Sequence, residues 1–387
     1  MKIEDLALQR SKYKHLSDDE WRWFLQQVEG RERTADKLPT FASIPDYWYP
    51  VRLSCEQCSS ELAARYKAGL VSGDTMADLT GGYGVDTYFL SENFTHTDYV
   101  EQNAELCRIA THNFANKPIT IHNTSAEEFL TSAGQYDLIF LDPARRDSHG
   151  GKVFRLEDCT PNVVDLLPTL LAHSKRVLLK LSPMLDLTQA ITSLSQATWD
   201  IYVVAIKNEV KELLLVSNGS GKITAIDLDK KDQAFTFTRE EESYSEAVLQ
   251  AQPVLQCNGL TGEAGLYLYE PSAAILKAGA YKLIAERFGL LKLDVNTHLY
   301  ASDTLIPNFP GRVWQIKFEI KNHKFEIKNA NVLVRNYPLS PEALKKKLHL
   351  RDGGTAFVIG CRVAGKPTIF YAERIDNKTI TGPSAEN

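Results

Sequence analysis

Asp78, Glu101, Asp142 and Lys180 each stand at or beside the end of a short apolar run. Between the first two lies D-L-T-G-G-Y-G-V-D-T-Y-F-L, which places Gly81, Gly82 and Gly84 within four positions. Carboxylates at strand ends accept hydrogen bonds from amines and hydroxyls, and a strand-end lysine holds an anion. Glycines in a turn let a ligand approach the main chain where a Cβ would obstruct it. The dinucleotide fingerprint G-x-G-x-x-G would need glycine at 87, where Thr87 stands.

An acidic residue at the end of the first strand repels a diphosphate and suits a ligand carrying an ammonium and a sulfonium. S-adenosylmethionine is such a ligand. Its methionine moiety would lie against Gly81, Gly82 and Gly84, flanked by Asp78, Thr80 and Asp86. Glu101, 23 residues after Asp78, is placed to take both ribose hydroxyls, with Gln102 beside it. Ser125, Ala126 and Glu127 open a helix where they could bond the adenine edges, although S-A-E-E is equally a capping box. Asp142 and Pro143 end the fourth strand, where proline fixes the turn and leaves the carboxylate facing a substrate amine or hydroxyl. Lys180 in V-L-L-K-L-S-P is a further candidate at the fifth strand, with snorkelling to solvent as its alternative. Arg145 and Arg146 are candidate phosphate or base contacts, a surface ion pair being the alternative.

These residues need a scaffold that brings strand ends together. Short apolar runs at 76–80, 99–101, 119–122, 138–142, 177–181 and 201–206 alternate with helical periods, the rhythm of a doubly wound, mostly parallel α/β sheet. After the last run, Y-V-V-A-I-K-N-E-V-K-E-L-L-L-V-S-N joins two strands by too few residues for a crossover helix, so they pair antiparallel. Ahead of the sheet, residues 1–72 read as helical. A capping box at Ser17–Glu20 opens a helix expected to stop at Gly30, and a second box at Ser54–Gln57 opens one expected to reach Gly69. We expect the sheet domain over 73–235, an α+β region over 236–311 and a basic module over 312–387. In that module, residues 313–334 read as two strands about a tight turn, followed by a helix capped by Ser340 with Pro341 at its first position.

Residues 312–387 hold 14 Lys+Arg against 7 Asp+Glu, a local +7 in a chain of net charge −5, which leaves −12 elsewhere. A basic module on an acidic body fits a polyanionic partner such as RNA, with Lys345, Lys346, Lys347 and Arg351 as candidate contacts. The lysines also sit in a helix's last turn, where dipole compensation accounts for them equally well. Cys55 and Cys58 form C-x-x-C without a second pair, and the nine histidines show no ligand spacing, so no metal is expected. Cys159 is considered as a nucleophile for pyrimidine C5 methylation, without the motif that usually carries one. Residues 1–14 are charged and lack a signal peptide's apolar core, no run is long enough to span a bilayer, and the cysteines are too scattered for a disulfide framework. A cytoplasmic location is the expectation.

Residues 74–217 resemble a class I S-adenosylmethionine-dependent methyltransferase with its antiparallel last strand. The turn D-L-T-G-G-Y-G-V-D-T-Y-F-L is similar to that of a family methylating guanine N2 in small-subunit ribosomal RNA. The order of helical N-terminus, methyltransferase, ferredoxin-like piece and C-terminal THUMP-like module resembles a bacterial group of RNA methyltransferases. That resemblance implies a seven-stranded sheet, S-adenosylmethionine as cofactor and a base amine as target. One departure is that Ala144 and Arg145 stand where amino-directed enzymes carry a second proline and a stacking aromatic. The competing reading is a non-catalytic RNA-binding protein, or a methyltransferase acting on a small molecule or a protein.

Overall fold

A computed structural model describes residue 6 and residues 10–145, 155–244, 265–321 and 327–375. The chain divides into two compact units, one of residues 1–201 and 212–220, the other of 202–211 and 221–387.

The first unit begins with α1 (Asp18–Thr34), α2 (Pro39–Ser43), α3 (Arg52–Gln57) and α4 (Glu61–Ala68). Ser17 and Glu20 form the expected capping box on α1. That helix runs through Gly30 rather than stopping there: a Cβ on Gly30 would come within 2.3 Å of the Tyr49 Cβ, so this glycine serves close packing. The single helix expected from Ser54 to Gly69 is two. Ser60 caps α4 by accepting from the Ala63 N–H, while Ser59 turns inward to donate to Asp86. The break therefore delivers a hydroxyl to the interior.

The sheet follows: β1 (Thr75–Asp78), β2 (His96–Val100), β3 (Ile119–His122), β4 (Tyr136–Leu141), β5 (Ser174–Leu181), β6 (Trp199–Ile206) and β7 (Glu209–Ser217). The helices that wind it include α5 (Val85–Leu90), α6 (Ala104–Asn113), α7 (Ala126–Leu130), α8 (Val163–His173) and α9 (Leu187–Ser193). The spatial order is β3-β2-β1-β4-β5-β7-β6. Strands β1 to β5 pair in parallel and β7 runs antiparallel to β5, as the short β6–β7 connection requires. The central strands carry fully buried runs, Leu138–Leu141 and Val177–Leu179 among them, which is how strands covered on both faces read. The order reverses between β1 and β4, so their carboxyl ends open a crevice where ligands bind in such sheets.

In the second unit the distal part of β6 neighbours β8 (Lys222–Asp227), which pairs antiparallel with β9 (Phe235–Thr238). A helix, α10, spans Arg239–Tyr244. Next come β10 (Leu266–Pro271), α11 (Ala273–Ala278), α12 (Leu283–Arg287), β11 (Leu291–Asp294), β12 (Thr297–Ser302), β13 (Gly311–Glu319), β14 (Asn331–Arg335), α13 (Pro341–Lys347), β15 (Ala356–Val363) and β16 (Lys366–Ile375). They form a sheet in the order β11-β12-β10-β13-β16-β15-β14. The tight-turn pairing expected within 313–334 is not made. β13 lies between β10 and β16, while β14 pairs in parallel with β15 at the far edge. Trp314 packs with Ile316, Phe370 and Ala372, so apolar partners distant in sequence fix the position of β13. Ser340 caps α13 as expected.

Candidate active site

The carboxyl ends of β1, β2, β4 and β5 enclose a cavity of about 330 Å³. Its wall includes Asp78, Thr80, Gly81, Gly82, Gly84 and Asp86 from the first turn, and Glu101 and Gln102 from the second. Ser125, Ala126 and Glu127 line it from the third turn, Asp142 from the fourth and Lys180 from the fifth. Pro143 is not among the lining residues. The side chain of Arg145 and all of Arg146 lie outside the described residues, although Arg145 contributes main chain to a short ribbon with Cys159. Sequence reasoning missed Ser54, Gln57, Cys58 and Ser59, which bring α3 and the α3–α4 joint to the same cavity.

The glycine turn is built differently from the expectation that a ligand excludes every Cβ. A Cβ on Gly81 would stand 2.2 Å from the Tyr99 ring, and one on Gly84 would stand 2.5 Å from the Phe114 ring. At these two positions the protein's own aromatics demand glycine. Only at Gly82 does a Cβ meet nothing closer than the Thr80 carbonyl, at 3.7 Å, and there a φ of +56° favours glycine. The Tyr99 hydroxyl donates to the Gly82 carbonyl at 2.6 Å, and the Gly82 N–H donates to Glu101 at 2.9 Å. The turn is thus clamped from beneath, and its one open face is at Gly82.

Asp78 is fully buried and accepts from the Thr80 N–H at 3.0 Å and the Thr87 hydroxyl at 2.5 Å. Burial pushes its carboxyl up to about 7, with Asp86 and Asp142 adding to the rise and the two hydrogen bonds opposing it. The Asp142 N–H donates to the Thr80 hydroxyl at 2.6 Å, tying the end of β4 to the turn after β1.

From the cavity wall into the interior runs a chain of alternating charges. Glu212 accepts from Lys67 at 2.7 Å through both oxygens, and Lys67 lies 3.2 Å from Asp86. Asp86 lies 3.5 Å from Lys180, which lies 2.5 Å from Asp142. Lys67 is wholly buried, and the Asp142 side chain, 40% exposed, ends the chain at the cavity. Burial acts against charge at both Asp86 and Lys180, but their partners outweigh it. Lys67 and Lys180 hold Asp86 below the usual carboxylate range, while Asp142 and Asp86 hold Lys180 above the usual lysine range. Lys180 is therefore an ammonium throughout the physiological range. It donates to Asp142 and lies beside Asp86 as their counter-charge.

Cys55, Cys58 and Cys159 are poor thiolates. Burial pushes Cys55 up to about 12 and raises Cys58 and Cys159, and the carboxylates of Asp158 and Glu157 raise Cys159 further. Among the described residues no cluster of three or more His, Cys, Asp or Glu is arranged to hold a metal, and no helix is long and apolar enough to cross a membrane. In the second unit, Lys346, Lys347 and Arg351 are exposed, whereas Lys345 pairs with Asp352 at 2.6 Å.

The strand order, the glycine turn and the acidic strand ends define a class I methyltransferase. The crystal structure of a protein assigned as a methyltransferase, from Porphyromonas gingivalis W83, superposes with a TM-score of 0.82 at 32% identity, covering 93% of this chain and 92% of that one. An uncharacterised S-adenosylmethionine-dependent methyltransferase of Mycobacterium tuberculosis, found in two strains, is 24% identical over 354 residues, 88% of this chain and 92% of its own. A ferredoxin-like domain family matches residues 267–310, and a THUMP domain-like family matches residues 312–374. The chain belongs to the class I S-adenosylmethionine-dependent methyltransferases that carry a THUMP-like module.

Proposed function

We propose that this methyltransferase acts on RNA, on a base amine such as guanine N2. The observation that carries the reading is the joining of this cavity to a module of local charge +7 whose Lys346, Lys347 and Arg351 are exposed. The cavity residues fit the cofactor. Asp78 and Glu101 offer carboxylates to its ammonium and ribose hydroxyls, and the turn is open at Gly82. When bound, S-adenosylmethionine supplies an electrophilic methyl group on a sulfonium. The protein's task is then to orient the nucleophile for in-line displacement. The Asp142 carboxylate would accept a hydrogen bond from the target amine, stabilise the positive charge that develops on its nitrogen as the N–C bond forms and the S–C bond breaks, and take the proton that the methylated amine sheds, while Lys180 fixes its position. A base inside a folded RNA must be unpaired or flipped to reach this depth.

Two tests address the cofactor assignment. Gly82→Val should lose most S-adenosylmethionine affinity by calorimetry, because its side chain would project from the turn's open face and a β-branched residue is strained at a φ of +56°, with thermal unfolding showing the rest of the fold retained. Unchanged affinity would remove the turn from the site. The second test is pH. Asp78, at about 7 in the free protein, must give up its proton to face a cationic ligand. Affinity should therefore rise with pH through 7 and level off above it, by at most about tenfold per unit. Calorimetry in two buffers should show proton release near pH 6.5, and Asp78→Asn should abolish both effects. A flat profile for the parent protein would mean that Asp78 does not face the cofactor's charge.

The RNA reading is tested by incubating the enzyme with methyl-labelled cofactor and total RNA from a strain lacking the gene. Label should enter that RNA and not RNA from the parent strain, whose target is already methylated. Lys345, Lys346 and Lys347 changed together to Gln should reduce the salt slope of RNA binding by about 0.7 per lost phosphate contact. Lys345, already paired, is expected to contribute least. Label in protein or small molecules, with none in RNA, contradicts the reading.

A further inference from the structure

A second cavity, of about 420 Å³, lies wholly within the second unit and away from the THUMP-like helix α13. Its floor is the tight turn between β6 and β7, where Lys207 and Asn208 both take left-handed backbone conformations, at φ of 53° and 61°. The Lys207 N–H donates to Asp229 at 2.5 Å and the Asn208 N–H donates to Asp227 at 2.7 Å. Those two carboxylates are thereby engaged by main chain. The Asn208 side chain accepts from the Ala273 N–H at 2.8 Å, anchoring the turn to α11.

Four cationic side chains line this space: Lys207, Lys230, Arg312 and Arg374. Arg312 is spoken for by Glu270. Lys207, Lys230 and Arg374 make no ion pair among the described residues. Gln233 also lines the cavity, and its side-chain oxygen is buried without a hydrogen-bond partner. A buried acceptor left unpaired costs free energy that a donor on a ligand would recover. Against the two carboxylates of Asp227 and Asp229, the three cations outside any ion pair among the described residues leave a net positive charge that favours an anion, and a guanidinium among them suits the tetrahedral oxygens of a phosphate.

We propose that this cavity seats one ribose-phosphate unit of the RNA strand, with Lys207, Lys230 and Arg374 around the phosphate and the ribose 2′-hydroxyl donating to Gln233. This deepens the RNA reading and rests on it. The 2′-hydroxyl is the group by which a protein tells RNA from DNA at one position. The site would thus add discrimination to a charge-driven interaction that by itself favours any polyanion.

The test uses the full chain and fluorescence anisotropy over a salt series, with one labelled RNA oligonucleotide and the DNA of the same sequence. Lys230→Gln/Arg374→Gln should weaken RNA binding and lower the salt slope by about 0.7 per lost contact. Gln233→Leu should leave DNA binding alone and shrink the preference for RNA. Thermal unfolding and cofactor affinity verify that each variant is folded. Parental RNA affinity and slope in the double variant, with RNA still methylated, overturn this site and leave the RNA reading standing. A protein that methylates no RNA overturns both. Binding of 5′-AMP that the double variant loses, with RNA affinity unchanged, reassigns the cavity to a free nucleotide and overturns its place on the strand.

Discussion

Asp142→Ala is expected to bind S-adenosylmethionine at close to parental affinity and to turn over roughly two to four orders of magnitude more slowly. The carboxylate contacts Lys180 and is 40% exposed at the cavity, so its other oxygen is available to a substrate donor. The residue's main chain, which ties β4 to Thr80, is retained in the variant. Lys180 keeps Asp86 as a partner, so the loss should fall on the chemical step and not on the fold. Asp142→Asn keeps an acceptor oxygen and should recover only part of the rate, because the amide does not stabilise the positive charge developing on the amine. Single-turnover kinetics separate the step from binding. An alanine variant with parental rate would make the Asp-Pro turn purely structural and place the reactive group elsewhere.

Lys67→Met is expected to destabilise the protein by about 3–5 kcal/mol, read from denaturant unfolding. The ammonium is wholly buried and compensates Glu212 and Asp86, whose side chains are 4% and 9% exposed. Removing it takes away the ion pair of Glu212 and leaves Glu212 and Asp86 to share the field of Lys180. The cost arises from the unpaired charge, so Lys67→Met/Glu212→Leu should recover much of it. If the double variant is no more stable than the single one, the pair is not the source of the loss.

The residues that announce the site were legible because strand ends, glycines and an Asp-Pro step are local features. The same sequence reasoning placed Asp78, Glu101, Asp142 and Lys180 at one edge of a parallel sheet, and all four line one cavity. What it could not supply was the reason for Gly81 and Gly84. Tyr99 and Phe114 approach them from β2 and from the residue just past α6, contacts made only once the sheet is assembled. Lys67 and Glu212 are 145 residues apart, and no spacing rule joins them. One signal was present: Lys67 falls on the same helical face as Ala63, Ala64 and Ala68, all buried, which is an unusual place for a lone cation. The misplaced β13–β14 pairing has a similar origin. Two adjacent alternating runs read as a hairpin, yet the apolar face of β13 is satisfied by β10 and β16.

The central claim is that the cavity beneath Gly82 methylates an RNA base through Asp142. Mass spectrometry of nucleosides from the ribosomal and transfer RNA of a strain lacking the gene tests it most directly. The account predicts that one methylated nucleoside disappears, returns when the parental gene is restored, and does not return with Asp142→Ala. An unchanged set of methylated nucleosides in the deletion strain, or full restoration by Asp142→Ala, would contradict it.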